Sequence, residues 1–152
     1  MVDKRNKMKA IDSKKLMEIY LIEVGQNGRL DLIKDIAQPD MIDEANRAFG
    51  GPPGRDGLIV HVKTFRRQIG ALKLDIKQIV GNENEVMAHW FFRGIHKGPW
   101  LGREATGKEI SAHVFSFFTL KEGLISYYRL WLQAMLDKPI IFDSSNSKIK
   151  VL

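Results

Sequence analysis

At 152 residues, 44% of them hydrophobic and 28% charged, the chain has enough material for one core of ordinary domain size. The absence of cysteine excludes a disulfide framework and thiolate chemistry, and no run of about 18 apolar residues is present to cross a membrane as a helix. The net charge of +6 sits mainly at the ends: residues 1–15 hold six Lys/Arg against Asp3 and Asp12, while residues 16–142 are close to neutral. That distribution reads as solvated basic termini rather than a nucleic-acid surface. With no apolar segment behind the basic N-terminus, a signal peptide is not expected and a cytoplasmic location is.

Along the chain, residues 1–12 read as a flexible basic tail, 13–142 as the domain and 143–152 as a C-terminal tail. Asp12 or Ser13 can cap a first helix in which Leu16, Ile19/Tyr20 and Val24 share a face, with Gly25 and Gly28 ending it. A short second helix spans Asp31–Ala37 and stops before Pro39. Met41–Asp56 lacks periodicity. Its Gly50-Gly51-Pro52-Pro53-Gly54 run reads as a surface loop, either a plain connection or a cover over a pocket mouth. Leu58, Val62, Phe65 and Ile69 mark a third amphipathic helix over Gly57–Ile69, with Gly70 placed as its C-terminal cap. Strand patterns follow at Leu72–Lys77, Val86–Arg93, Ile110–Leu120 and Leu124–Leu132, rich in β-branched and aromatic residues. The expected architecture is α+β: three N-terminal helices on one face of a curved four-stranded antiparallel meander.

The centre of the chain carries Trp90, Arg93, Gly94, His96, Gly98, Gly102, Thr106, Gly107 and Ile110 in the order of a tryptophan strand ending R-G-x-H-x-G-x-x-x-G, followed by T-G-x-x-[IV]. A turn at Lys121-Glu122-Gly123 and a last aromatic strand come next. In these motifs, over about Ser13 to Asp137, the chain resembles the SnoaL-like polyketide cyclases of the nuclear transport factor two-like superfamily. The resemblance implies a cone-shaped fold around a pocket. It also implies a cofactor-independent cyclase or isomerase acting on a hydrophobic, polyketide-like carbonyl compound by proton abstraction and enolate stabilisation. Two positions depart from the family pattern. Glu104-Ala105 stands where two prolines are frequent, and Gln133 stands where the last strand should bring an acid.

Strand alternation sorts the candidate site. Taking Lys121-Glu122-Gly123 as a three-residue loop pairs Leu120 with Leu124, Phe117 with Tyr127, Phe115 with Arg129, His113 with Trp131 and Ser111 with Gln133. Opposed residues share a face, so Ser111, His113, Phe115, Phe117, Tyr127, Arg129, Trp131 and Gln133 stand together. Their mixture of aromatic and polar groups suits a small-molecule cavity beneath the first helix. There His113 would be the base, Arg129 and Tyr127 the oxyanion donors, and Ser111, Phe115, Phe117, Trp131 and Gln133 would hold the substrate. The plainer readings are a hydrogen-bonded core histidine, a structural ion pair and aromatic core. The opposite face, Ala112, Val114, Ser116, Phe118, Ser126, Tyr128, Leu130 and Leu132, reads as packing or a subunit contact. His96 is expected to fix its own loop. His61 is expected at the surface beside the apolar stripe of the third helix, and His89 and Arg93 to face outward.

The four histidines show no metal-ligand spacing, and neither a phosphate loop nor a nucleophile elbow is present. No cofactor, metal, nucleic acid or membrane is expected. The partners expected are a hydrophobic small molecule and a second copy of the chain, with Phe91 near the contact. Without an acid on the last strand, the alternative to an enzyme is a pocket protein of the same fold that binds without turnover. An acid reaching in from elsewhere, Asp40 or Asp43, would favour the enzyme.

Overall fold

The computed structural model describes residues 12–152; the tail expected over residues 1–11 lies outside them. Helix α1, Ser13–Glu18, opens on Asp12, whose side chain accepts from the Lys14 amide at 3.1 Å. It continues as wider π-type turns over Ile19–Gln26 and ends at Gly28, which takes a left-handed φ of +76°. Leu16, Tyr20 and Val24 are buried, as their spacing requires. A 3₁₀ turn, Leu30–Leu32, leads into the single-turn helix α2, Ile33–Ile36.

The next stretch departs from expectation. Strand β1, Ala37–Asp43, and helix α3, Glu44–Ala48, form where the second helix was expected to end at Ala37 and where the stretch from Met41 showed no periodicity. Strand β1 includes Pro39, which lacks an amide donor and so belongs at a sheet margin. Asp43 ends the strand and caps α3, accepting from the Asn46 amide at 3.2 Å. Helix α4 runs Gly54–Gln68, one turn longer at its start than the apolar stripe shows. Gly70 is not its cap but part of strand β2, Ile69–Gly81, beside an irregularity at Ala71, which has a φ of +51°.

Strands β3, Glu85–His96, β4, Glu109–Lys121, and β5, Leu124–Met135, form the centre of the sheet. Two more follow: β6, Pro139–Asp143, and β7, Lys148–Val151, the latter lying where a tail was expected. The antiparallel path is β2-β3-β4-β5-β6-β7, six strands rather than four. Strand β1 joins it parallel to β5, with Ala37 opposite Ile125 and Asp43 opposite Tyr128. Strands β1 and β6 therefore share one edge of β5, β1 along Ile125–Tyr128 and β6 along Trp131–Met135. The fold class is α+β, with helices on one face of a mostly antiparallel sheet.

The core fills the space between sheet and helices. From β3 come Val86, Ala88, Trp90 and Phe92, from β4 Ala112, Val114, Ser116 and Phe118, and from β5 Tyr128, Leu130 and Leu132, all buried. Tyr20 of α1 meets Phe118 and Tyr128 edge-on at 5.2 and 5.4 Å, and Phe65 of α4 meets Phe92 edge-on at 5.2 Å.

Candidate active site

A cavity of about 90 Å³ lies between the helices and the inner sheet face. Tyr20, Leu21, Val62, Phe65, Trp90, Phe92, Tyr128, Leu130 and Leu132 are among its walls. A second space of about 410 Å³ lies between α4 and the Pro99–Gly102 loop. Phe49, His61, Phe65, Trp100 and Leu101 line both. The Gly50–Gly54 loop contributes Gly51 to the outer space, and Phe49 stacks on Phe142 at 5.4 Å beside it.

His61 stands where the two spaces meet. It lies three residues after Leu58 and four before Phe65, so it belongs to the inward stripe of α4 rather than to the surface. Its Nδ1 is 2.6 Å from Oδ2 of Asp43, whose side chain is only 2% exposed. The imidazole ring stacks on Tyr128 with centroids 5.9 Å apart. Among the described residues Nε2 has no hydrogen-bond partner, and the side chain keeps 23% of its exposure. Burial pulls the imidazole toward its neutral form, but the charge and hydrogen bond of Asp43 outweigh it. The net effect raises the His61 pKa above its ordinary value. A carboxylate on one ring nitrogen and an open second nitrogen make a proton-transfer group held in a single orientation.

Behind this pair runs a buried polar chain. Trp90 Nε1 donates to Ser116 Oγ at 2.9 Å, and Ser116 Oγ lies 3.0 Å from the Tyr128 hydroxyl. Among the described residues, no group of three or more His, Cys, Asp or Glu side chains is arranged to hold a metal ion.

The residues expected to form the site share one face, but not the face with the cavity. Opposed pairs put Ser111 with Arg93, His113 with Phe91 and with Gln133, Phe115 with His89 and with Trp131, and Phe117 with Arg129. This is the outer face: His113, Phe115, Arg129 and Gln133 are exposed, Ser111, Phe117 and Trp131 half-buried. Their expected place beneath α1 is corrected accordingly. The face read as plain packing, with Val114, Tyr128, Leu130 and Leu132, is the cavity wall.

Local contacts account for the mixed character of the outer face. Arg129 lies over the Phe117 ring at 4.4 Å, and His89 stacks on Phe115 at 4.6 Å. His89 Nε2 approaches His113 Nδ1 at 2.9 Å. Partial burial, and then the neighbouring charges of His113 and Lys77, lower the His89 pKa. Tyr127 donates to Oε2 of Glu44, the first residue of α3, and that hydrogen bond, with some burial, raises the phenol's pKa. Glu44 also accepts from Ser144 Oγ at 2.8 Å and Ser145 Oγ at 3.2 Å, which ties α3 to the β6–β7 turn. His96 holds its loop as expected: its amide donates to the Lys108 carbonyl, its carbonyl accepts from Gly107, and Nδ1 lies 3.3 Å from Thr106 Oγ1.

The structure is similar to TsrD from Streptomyces laurentii, at 20% sequence identity and a TM-score of 0.65, covering 88% of this chain and 91% of that one. It is similar to IdmH from Streptomyces antibioticus, at 18% identity and a TM-score of 0.64, covering 82% and 92%. A SnoaL-like polyketide cyclase from Agrobacterium tumefaciens superposes with a TM-score of 0.67 at 14% identity, covering 82% and 92%. A comparison with curated protein sequences finds no match. At these identities the solved structures speak for the fold. The sequence itself matches the family described as SnoaL-like polyketide cyclase over residues 15–136, which spans the described helices, β1 and the sheet through β5. The chain belongs to the SnoaL-like polyketide cyclase family.

Proposed function

We propose that this chain is a cofactor-independent cyclase or isomerase in which His61, oriented by Asp43, moves a proton on a hydrophobic carbonyl compound. The 2.6 Å Asp43–His61 contact at the junction of the two cavities carries this reading. The family pattern asks β5 for an acid, yet its buried residues here are Ile125, Tyr128, Leu130, Leu132 and Ala134. Asp43 supplies a carboxylate instead, from the end of β1. Nε2 would accept a proton from the carbon next to a carbonyl, leaving the electron pair delocalised onto the carbonyl oxygen. The enolate carbon would then attack a second carbonyl of the same molecule, and the imidazolium would return the proton to the new alkoxide. Alternatively, the proton would return to a different carbon, shifting a double bond. Apolar walls would position the chain and exclude water.

The small size of the inner chamber favours a second reading, a pocket that binds without turnover. Deuterium exchange into the α-position of 2-tetralone, followed by NMR, separates the two. Acceleration by the wild-type protein and its loss in His61→Gln supports the enzyme. Exchange at the same rate in both proteins overturns it.

A further inference from the structure

We infer that Tyr128 is a second catalytic residue of this pocket, a neutral phenol that donates its hydroxyl hydrogen to the developing oxyanion of the bound molecule. This rests on the acid–base reading of His61 and names the group that would stabilise the charge His61 creates on the substrate oxygen.

Hydrogen-bond direction carries the argument. An indole N–H can only donate, so Ser116 Oγ is the acceptor in the 2.9 Å bond from Trp90. Ser116 is 0% exposed, so its own hydrogen needs an internal acceptor. Among the described residues the oxygen in reach of that hydroxyl is the Tyr128 phenol, at 3.0 Å. Either direction leaves one hydrogen over: when the chain runs Trp90 to Ser116 to Tyr128 it is the phenol's, at the cavity wall. The reverse direction would leave a buried serine hydrogen without a partner. The phenol oxygen is then already accepting, and its own hydrogen remains to be given away.

Tyr128 is itself only 2% exposed, lines the inner cavity and lies flat against the His61 ring. A carbonyl compound whose acidic C–H meets His61 Nε2 therefore has a phenol beside the same imidazole. Burial raises the Tyr128 pKa well above its ordinary value. The hydrogen bond from Ser116 opposes that rise, as a donor to the oxygen does, and the charge of Asp43 adds to it. The phenol stays protonated, which a hydrogen-bond donor requires. Trp90 and Ser116 are positioning residues in this scheme: they set the direction of the chain without touching the substrate.

The test uses binding, so that it stands apart from turnover. In full-length His61→Gln protein, where no imidazolium can attract an anion, affinity for 4-nitrophenolate is compared with affinity for nitrobenzene. The two share a ring, and one carries the oxyanion. The expected result is a preference for the phenolate that falls about tenfold or more when Tyr128→Phe is added. With Ser116→Ala in its place, the preference falls part of the way, while nitrobenzene affinity holds in both. No preference in His61→Gln, an unchanged preference in the Tyr128→Phe double variant, or equal losses for both ligands overturns the assignment. Failure of the acid–base reading shows separately, as undiminished 2-tetralone exchange in His61→Gln.

Discussion

At the scale of single residues, the proposed chemistry rests on how Asp43 and His61 divide one proton. Losing a general base costs on the order of 10²–10⁴ in rate. His61→Gln should therefore abolish most turnover through kcat while circular dichroism stays close to wild type. Asp43→Asn keeps the shape but removes the charge that raises the imidazole pKa. A neutral imidazole is the active form for proton abstraction, so activity should rise with pH through the raised His61 value. In Asp43→Asn that limb should move to lower pH, which a kcat/KM profile would show. Stability has the opposite sense. The folded His61 binds its proton more tightly than the unfolded one, so the pair's contribution is complete below the ordinary histidine range. It drains away as pH rises through the folded value. Thermal melts across that window should show the loss in wild type and not in Asp43→Asn. The spacing of α4 contained the signal for His61, since a residue three after Leu58 and four before Phe65 faces inward. Asp43 was legible only as one of two acids that could reach in, because only tertiary structure chooses between neighbouring carboxylates.

At the scale of elements, the β4–β5 hairpin shows how a face can be grouped correctly and assigned wrongly. Glu122 and Gly123 both take positive φ, +54° and +77°, so the turn has two residues and Lys121 pairs with Leu124. A bulge between Thr119 and Leu120 then inserts one more residue, and the strands proceed with His113 opposite Gln133. Each difference from the expected register is one residue. Together they restore parity, so the same side chains still share a face. What alternation could not supply was which face the helices cover. A mixture of aromatic and polar groups marks an outer face stacked with histidine and arginine as readily as a cavity. The burial of Trp90 and Phe92, opposite Val114 and Ala112, fixes the inside instead. The strand β1 was hidden by Pro39 and by its polar sequence, which does not alternate. Glu44 makes a test at this scale. Truncating it removes the acceptor for Tyr127, Ser144 and Ser145 together, and a buried donor without a partner costs about 1–3 kcal/mol. Glu44→Ala should lower the denaturation midpoint accordingly, whereas Glu122→Ala, at the exposed turn, should move it only to the extent that its left-handed backbone is strained.

At the scale of the whole molecule, the outer sheet face remains the place where a second copy would bind, and we propose that it does. Phe91, His113 and Phe115 lie together there with Trp131, and Phe115 is 36% exposed. Light scattering should give about twice the chain mass of 17.4 kDa at micromolar concentration, and Phe91→Glu should return the single mass without unfolding. A wild-type protein that scatters as a single chain would remove the proposal.

The parallel strand β1 has a consequence for the order in which the molecule assembles. Strands β2 to β5 succeed one another along the chain and can pair as they emerge. β1 must instead wait for β5, whose residues come far downstream, and close a long loop to reach it. Since β1 ends in Asp43, the carboxylate reaches His61 only after the meander has formed. The same strand should be the first to let go. Amides of Ala37–Asp43 should exchange with solvent at a lower opening free energy than those of β3 and β4 in native-state hydrogen exchange. Mild denaturant should accordingly part Asp43 from His61, and remove the proposed activity, at concentrations where the central strands are still protected.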